Sequence, residues 1–304
     1  MKENFNATNI EELLQFFRKH LLENDKSAGT CETYCTNVRL FAEYISETFA
    51  EEFDPRKISP LDIREYRNYL LNVKNLSVNT VNNRISTLNE FYKYLTNKNI
   101  VSANPVEKIR KIKMQSPPKR VTIDDLMFKR LRRQFEHYGR EVEKVIFFLL
   151  FLTGVRVSEL INIKVDDIVI NPRSGILKVQ SGKGMKYREI PLNATCRQVI
   201  NNYLEYRKSK GIKSPYLITT ERSAKACRSS INKILKKHGN KIGFPEISPH
   251  VARRYFLTKV LEVSDISTAM ELAGHNSVQT TIKYVPSTEK RKQDAVTKIT
   301  NDID

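Results

Sequence analysis

Three short motifs in the second half of the chain contain side chains suited to binding an anion. The first, Thr153-Gly154-Val155-Arg156, follows an apolar run and precedes a predicted helix. Gly154 allows a sharp turn, and Arg156 then lies near a helix N-terminus, where backbone N–H groups also favour negative charge. An arginine at a helix start is more commonly structural, so this motif alone predicts no reaction.

The second motif is Pro249-His250-Val251-Ala252-Arg253, and the third is Ala273-Gly274-His275, with Tyr284 nine residues further along. His250 and Arg253 are three residues apart, so they would share one face of a helix. A single histidine is usually structural. The set is informative because these groups occur in order after a predicted basic hairpin.

The charge of the chain predicts a polyanionic partner. The 304 residues include 52 Lys and Arg against 34 Asp and Glu, a net charge of +18, of which residues 1–120 carry +4 and residues 121–304 carry +14. Each basic side chain that docks on a phosphate releases condensed counterions, which favours nucleic-acid binding. Charge alone does not distinguish DNA from RNA, or binding from catalysis.

Other classes of protein do not fit the sequence. The longest apolar stretch, Val145 to Leu152, has eight residues, whereas a bilayer-spanning helix needs about 20. The N-terminal residues form no apolar signal core, so we expect a cytoplasmic protein with no membrane partner. Cys31 and Cys35 lie at i, i+4 with no second pair of cysteine or histidine to complete a zinc site, so we expect reduced thiols and no metal.

The first hundred residues show helical periodicity without a strand signal. Helices are predicted over Ile10–Leu22, from about Thr30, after the Ser59-Pro60 start signal and after Ser77. We therefore predict a small helical domain over residues 1–110.

A basic, proline-stiffened linker is predicted over 111–121, and a second domain over 122–304. In that domain the apolar run of residues 145–152 favours a buried helix, although periodicity alone does not exclude a strand. Residues 175–191 alternate as strands around a turn at Gly182-Lys183-Gly184, with Tyr187 to Ile190 as the return strand.

In their order and spacing these motifs resemble the tyrosine recombinases of the phage-integrase and Xer type, over nearly the whole chain. The resemblance implies a mainly α fold: an N-terminal helical DNA-clamping domain, and a mostly helical catalytic domain with a small antiparallel β-sheet. The catalytic residues it implies are Arg156, Lys183, His250, Arg253, His275 and Tyr284.

The chemistry implied is metal-independent cleavage and rejoining of DNA. Tyr284 attacks phosphorus to give a 3′-phosphotyrosine, which retains the bond energy, so no cofactor is expected. The two arginines hold the phosphate oxygens. His250 is expected to act as acid and base, His275 to bond the phosphate, and Lys183 to protonate the leaving 5′ oxygen. Glu159 is expected to orient Arg156.

Two departures from the family pattern suggest a divergent branch. Ala252 and Arg254 stand where the family commonly has leucine and histidine, and Ala273 replaces the leucine of Leu-Gly-His. Neither change removes a matched catalytic group. Tyr255 is the next candidate nucleophile after Tyr284.

The resemblance implies a homotetramer acting on two double-stranded DNA sites with inverted-repeat cores, through a Holliday junction. Its role would be in a mobile element or in Xer-type resolution. The tail after Tyr284 would dock into a neighbouring subunit, or alternatively fold on its own domain. The alternative functions are a type IB topoisomerase and a catalytically silent architectural DNA-binding protein.

Overall fold

The chain forms two compact units, Met1–Pro118 and Lys119–Asp304. The computed structural model describes residues 9–113, 121–180, 187–221, 223–275 and 277–282. The division falls within the predicted linker, of which residues 114–120 lie outside the described residues. In the part of the chain that is described, no helix has the combined length and hydropathy that a bilayer-spanning segment requires.

The first unit is helical, as predicted. Its described residues form four α-helices and no strand: α1 (Ile10–Glu23), α2 (Ala28–Phe49), α3 (Pro60–Asn72) and α4 (Val78–Asn97). The second helix begins two residues before the predicted Thr30, because Ser27 is its cap and accepts a hydrogen bond from the Thr30 backbone N–H at 3.1 Å.

The start of α3 shows how the sequence sets a helix boundary. The Ser59 hydroxyl accepts from the Asp62 backbone N–H at 3.4 Å, and the Asp62 carboxylate accepts from the Ser59 N–H at 2.7 Å. Pro60 occupies the first helical position, where its missing N–H costs nothing. The helices then bury large side chains such as Phe17, Phe41 and Phe91 in one core.

The second unit combines helices with a small sheet. Its described helices are α5 (Asp125–Tyr138), α6 (Glu141–Thr153), α7 (Val157–Leu160), α8 (Ala194–Ser209), α9 (Arg228–Lys241), α10 (Pro249–Val263), α11 (Ile266–Ala273) and α12 (Val278–Ile282). The strands β1 (Ile168–Ile170), β2 (Gly175–Val179) and β3 (Arg188–Pro191) form an antiparallel sheet in that order.

The sheet differs from the prediction in two respects. β1 was not predicted, because a strand of three residues is too short to give a periodic signal. The return strand β3 begins at Arg188, one residue later than predicted, and places Ile190 opposite Leu177 of β2. The predicted turn at residues 182–184 lies outside the described residues.

The apolar run of residues 145–152 is helical and lies within α6. Its side chains from Val145 to Phe151 are buried, and α6 packs against α8 and α10. The helix ends at Gly154, whose φ of +62° is left-handed. A Cβ at this position would lie 2.2 Å from Cδ1 of Phe256, so both the backbone and the space require glycine. The resulting turn places Arg156 at the start of α7.

We expect Gly154→Ala to lower the thermal unfolding midpoint of the chain more than Gly211→Ala does. Both glycines have positive φ, which costs an alanine roughly 1–2 kcal/mol, but a Cβ at Gly211 would meet no atom within 4 Å. The difference between the two variants, measured by calorimetry, isolates the clash with Phe256. Equal losses would contradict this account.

Candidate functional site

A concentrated group of charges in the described part of the second unit lies at the C-terminal end of α11. Three successive backbone carbonyls there accept hydrogen bonds from three different arginines: Leu272 O from Arg188 Nε at 3.0 Å, Ala273 O from Arg253 Nη2 at 2.6 Å, and Gly274 O from Arg156 Nη2 at 3.0 Å. We call Arg156, Arg188 and Arg253 the arginine cluster.

Helix geometry explains why arginines gather at this point. The last carbonyls of a helix have no intrahelical partner, and the end of the helix carries the negative pole of its dipole. α11 ends at Gly274, which has a left-handed φ of +60°. The turn lets the His275 N–H bond back to the Met270 carbonyl at 3.1 Å, which sets the direction in which His275 leaves the helix.

Glu159 joins two members of the cluster. Its Oε1 accepts from Arg156 Nη1 at 2.9 Å and from Arg188 Nη1 at 3.0 Å. Its Oε2 accepts from the Arg156 backbone N–H at 2.7 Å and from Arg188 Nη2 at 2.8 Å. Burial alone would raise the pKa of Glu159, but the hydrogen bonds and charge of Arg188, together with Arg156, outweigh it and lower the pKa. Glu159 is thus an ionised partner of both arginines.

Arg253, from the second sequence motif, bonds to residues of the first and third motifs. It donates Nη1 to the Gly154 carbonyl and Nη2 to the Ala273 carbonyl, and Nη2 also lies 3.0 Å from Nε2 of His275. The residue is only 5% exposed. Through these bonds, one side chain of α10 holds the turn before Arg156 against the turn before His275.

The environment of His275 keeps it neutral. A guanidinium can only donate, so Nε2 accepts from Arg253, and Nδ1 carries the proton and lies 2.8 Å from the Thr281 hydroxyl. Burial, followed by the positive charges of Arg253, Arg156 and Arg188, lowers the pKa of His275 to about 4. At neutral pH this imidazole is therefore uncharged.

The structure brings together Arg156, Arg253 and His275 of the six residues singled out from the sequence. His250 is the second residue of α10, exposed at the helix start, one turn before Arg253 as the spacing indicated. Lys183 and Tyr284 lie outside the described residues, and their positions stay predictions.

Two residues of the site were missed from the sequence, Arg188 and Thr281. Arg188 had a usable signal: strand positions two apart share a face, and Ile190 is an apolar residue of the same strand that is buried. An arginine on the inward face of a strand requires a buried partner, which is Glu159. Thr281, buried in α12, had no distinguishing signal.

The arginine cluster carries three positive charges against one carboxylate, Glu159, which leaves an excess of two. The side chain of Arg156 is 27% exposed, whereas that of Arg188 is 9% exposed, so Arg156 is the more accessible of these two. Such an arrangement is preorganised to bind a phosphate oxygen and to stabilise added negative charge. Among the described residues, no three His, Cys, Asp or Glu side chains are arranged to hold a metal ion.

Tyr255, the second candidate nucleophile, is engaged elsewhere. Its hydroxyl donates to Asp125 at 3.2 Å, and its ring stacks on Phe128 with centroids 4.7 Å apart. Burial, followed by the charge and hydrogen bond of Asp125, raises the pKa of Tyr255 to about 12. This makes its phenolate harder to form than that of an ordinary tyrosine.

Two family models match the chain. Residues 127–291 match the phage integrase family, and residues 13–101 match the N-terminal SAM-like domain of phage integrase. The first match covers more than half of the chain.

Individual relatives match over nearly their full length. A TnP I resolvase of Bacillus thuringiensis is 31% identical over 88% of this chain and 93% of its own. The tyrosine recombinase XerA of Pyrococcus horikoshii is 30% identical over 98% of this chain and 96% of its own. A crystal structure of XerH site-specific recombinase bound to palindromic difH substrate shares the fold, with a TM-score of 0.74 and 17% identity over 95% of this chain and 84% of the other.

We expect His275 to make the thermal stability of the chain depend on pH between about 4 and 6.5. Its folded pKa of about 4 lies below the unfolded value, so the unfolded chain binds the additional proton in this range. The stabilisation is complete above pH 6.5 and is lost as the pH falls through about 4. His275→Gln should therefore show a smaller drop in melting temperature between pH 7 and pH 5 than the unmodified chain. Identical drops would show that the imidazole is not held neutral.

Proposed function

The chain belongs to the phage integrase family of tyrosine-type site-specific recombinases, and we propose that Arg156 and Arg253 of its arginine cluster bind the phosphate that Tyr284 attacks. The observation that carries this proposal is the excess of two positive charges in the cluster, of which Arg156 is partly exposed. A phosphodiester carries one negative charge, and more develops on its oxygens as a nucleophile adds.

The proposed cleavage step forms one bond, breaks one bond and transfers two protons. The Tyr284 hydroxyl forms a bond to phosphorus and gives its proton to His250, while the bond from phosphorus to the 5′ oxygen breaks. Lys183 gives its proton to that leaving oxygen. The product is a 3′-phosphotyrosine and a free 5′ hydroxyl. Reciprocal attack by the 5′ hydroxyls of two cleaved duplexes, each on the phosphotyrosine of the other, reverses the chemistry, releases both Tyr284 side chains and yields a Holliday junction.

His275 must change its hydrogen bonds to serve as a phosphate donor. In the structure its Nε2 accepts from Arg253 and has no proton to give. We expect Arg253 to donate a hydrogen bond to the phosphate instead of to His275. The negative charge of the phosphate then raises the pKa of His275, against the burial and the arginine charges that lower it. His275 can then hold a proton on Nε2 and donate it to a phosphate oxygen.

The substrate is double-stranded DNA with an inverted-repeat core, and the active assembly is a homotetramer on two such sites. Two similar proteins, XerH with its palindromic difH substrate and the TnP I resolvase of Bacillus thuringiensis, support a role in mobile-element or Xer-type resolution. The tail after Tyr284, which lies outside the described residues, contributes the contact to the neighbouring subunit.

Tyr284→Phe should abolish covalent protein–DNA adducts while leaving DNA affinity within about a few-fold, because only the nucleophilic oxygen is removed. The measurement uses a nicked suicide substrate, from which the cleaved strand diffuses away and traps the adduct. Tyr255→Phe is the matched control and should form adducts, because its hydroxyl bonds to Asp125. Adducts formed by Tyr284→Phe but not by Tyr255→Phe would reverse the assignment.

Two assays of the unmodified protein, adduct formation and strand exchange, distinguish the alternative functions. A silent architectural protein forms no adduct with the suicide substrate. A topoisomerase forms the adduct but exchanges no strands between two labelled duplexes. Formation of recombinant products between the duplexes is the result expected here.

Lys183→Ala should slow cleavage of ordinary DNA by about 10²–10⁴-fold, the usual contribution of a general acid. It should slow a substrate with a 5′-bridging sulfur much less, because a thiolate leaves without a proton. Lys178, a partly buried residue of β2, is the control, and Lys186 is a second. Their alanine variants should lower affinity and show no rescue by sulfur. An equal defect of Lys183→Ala on both substrates would leave it as a phosphate contact.

A further inference from the structure

Arg188 is the member of the arginine cluster to which the family motifs assign no role. Its side chain is 9% exposed, and each guanidinium nitrogen donates to a protein group: Nη1 and Nη2 to the two oxygens of Glu159, and Nε to the Leu272 carbonyl. The fork-shaped guanidinium matches a carboxylate in a bidentate pair, a geometry that lysine does not reproduce.

The negative charge of Glu159 offsets positive charge on its neighbour Arg156. The carboxylate is buried, with 4% of its side chain exposed, and it bonds both the backbone and the guanidinium of Arg156. A buried carboxylate needs a compensating charge. If Arg156 were its only partner, the two would form a neutral pair, and little of the positive charge of Arg156 would remain for a phosphate.

We propose that Arg188 is a positioning residue for strand cleavage. It neutralises the negative charge of Glu159, so that the positive charge of Arg156 is not offset and its guanidinium stays oriented towards the phosphate. This inference rests on the proposed role of Arg156. Glu159 thus has two roles: its charge is neutralised by Arg188 of β3, and its oxygens orient Arg156 at the start of α7.

Arg188 also ties β3 to the turn that carries His275. Its Nε bonds to Leu272 O, and a Cβ on Gly274 would lie 3.0 Å from its Nη1, so the glycine leaves room for the guanidinium. β3 begins immediately after the segment that contains Lys183. A change at Arg188 therefore disturbs Arg156 and the 272–275 turn together.

The test compares Arg188→Gln and Arg188→Lys in the full-length chain, by single-turnover cleavage of the suicide substrate at saturating protein. We expect cleavage at least about tenfold slower for Lys, which cannot bond both oxygens of Glu159 and Leu272 O at once, and slower still for Gln. The concentration of protein that half-saturates the DNA should change by less than about threefold, because Nε, Nη1 and Nη2 of Arg188 are bonded to Leu272 O and Glu159 rather than to DNA.

Two further readouts separate positioning from general structural support. By NMR, the pKa of His275 should rise in Arg188→Gln, because a nearby positive charge is lost while Glu159 remains. In a Glu159→Gln background, Arg188→Gln should slow cleavage by much less than it does alone, since residues that act through one partner are not additive.

Arg197 provides the matched control. It lies on α8 in the same unit and donates Nη1 to the Leu192 carbonyl at 2.8 Å, a group that belongs neither to the arginine cluster nor to α11. Arg197→Gln and Arg197→Lys should cleave at the unmodified rate and leave the pKa of His275 unchanged.

Cleavage by Arg188→Gln at the unmodified rate, with an unchanged His275 pKa, would overturn the inference. If that variant does not fold, Arg188→Lys decides the question, and a rate equal to that of Arg197→Lys overturns it. Failure of the unmodified chain to form any adduct would instead refute the proposed function, so the two failures are distinguishable.

Discussion

The site depends on the need to satisfy the free carbonyls at the end of one short helix. α11 is eight residues long, and the carbonyls of Leu272, Ala273 and Gly274 point out of its end. Each takes a hydrogen bond from a separate arginine, and these arginines come from α10, β3 and the start of α7. A requirement of backbone chemistry thus gathers the positive charge that a phosphate needs.

The positive charges would repel one another without a counter-charge. Glu159 supplies it inside the cluster, and the end of the α11 dipole supplies part of it from outside. The compensation is incomplete, and the remaining excess keeps the site ready for an anion. Burial, together with the same excess of positive charge, lowers the pKa of His275, so the imidazole adds no further charge until a ligand arrives.

The sequence predicted those parts of the fold and of the site for which nearby residues give a signal. Ser59 and Pro60 set the start of α3, and the apolar run of residues 145–152 formed the buried α6. Periodicity could not detect β1, whose three residues are stabilised by pairing with β2. The motifs singled out Arg156, Arg253 and His275, which lie together in the structure, but they gave no indication that Arg188 pairs with Glu159. That contact joins residues 29 positions apart, and no local pattern records it.

The wide spacing of these residues along the chain has a consequence during protein synthesis. Arg156 and Arg188 leave the ribosome well before the carbonyls of residues 272–274 that hold them in place. A nascent chain that ends before that turn carries basic side chains able to attract DNA, but it lacks the partners that align them. The arginine cluster therefore cannot be aligned until residues 272–274 have been synthesised and folded.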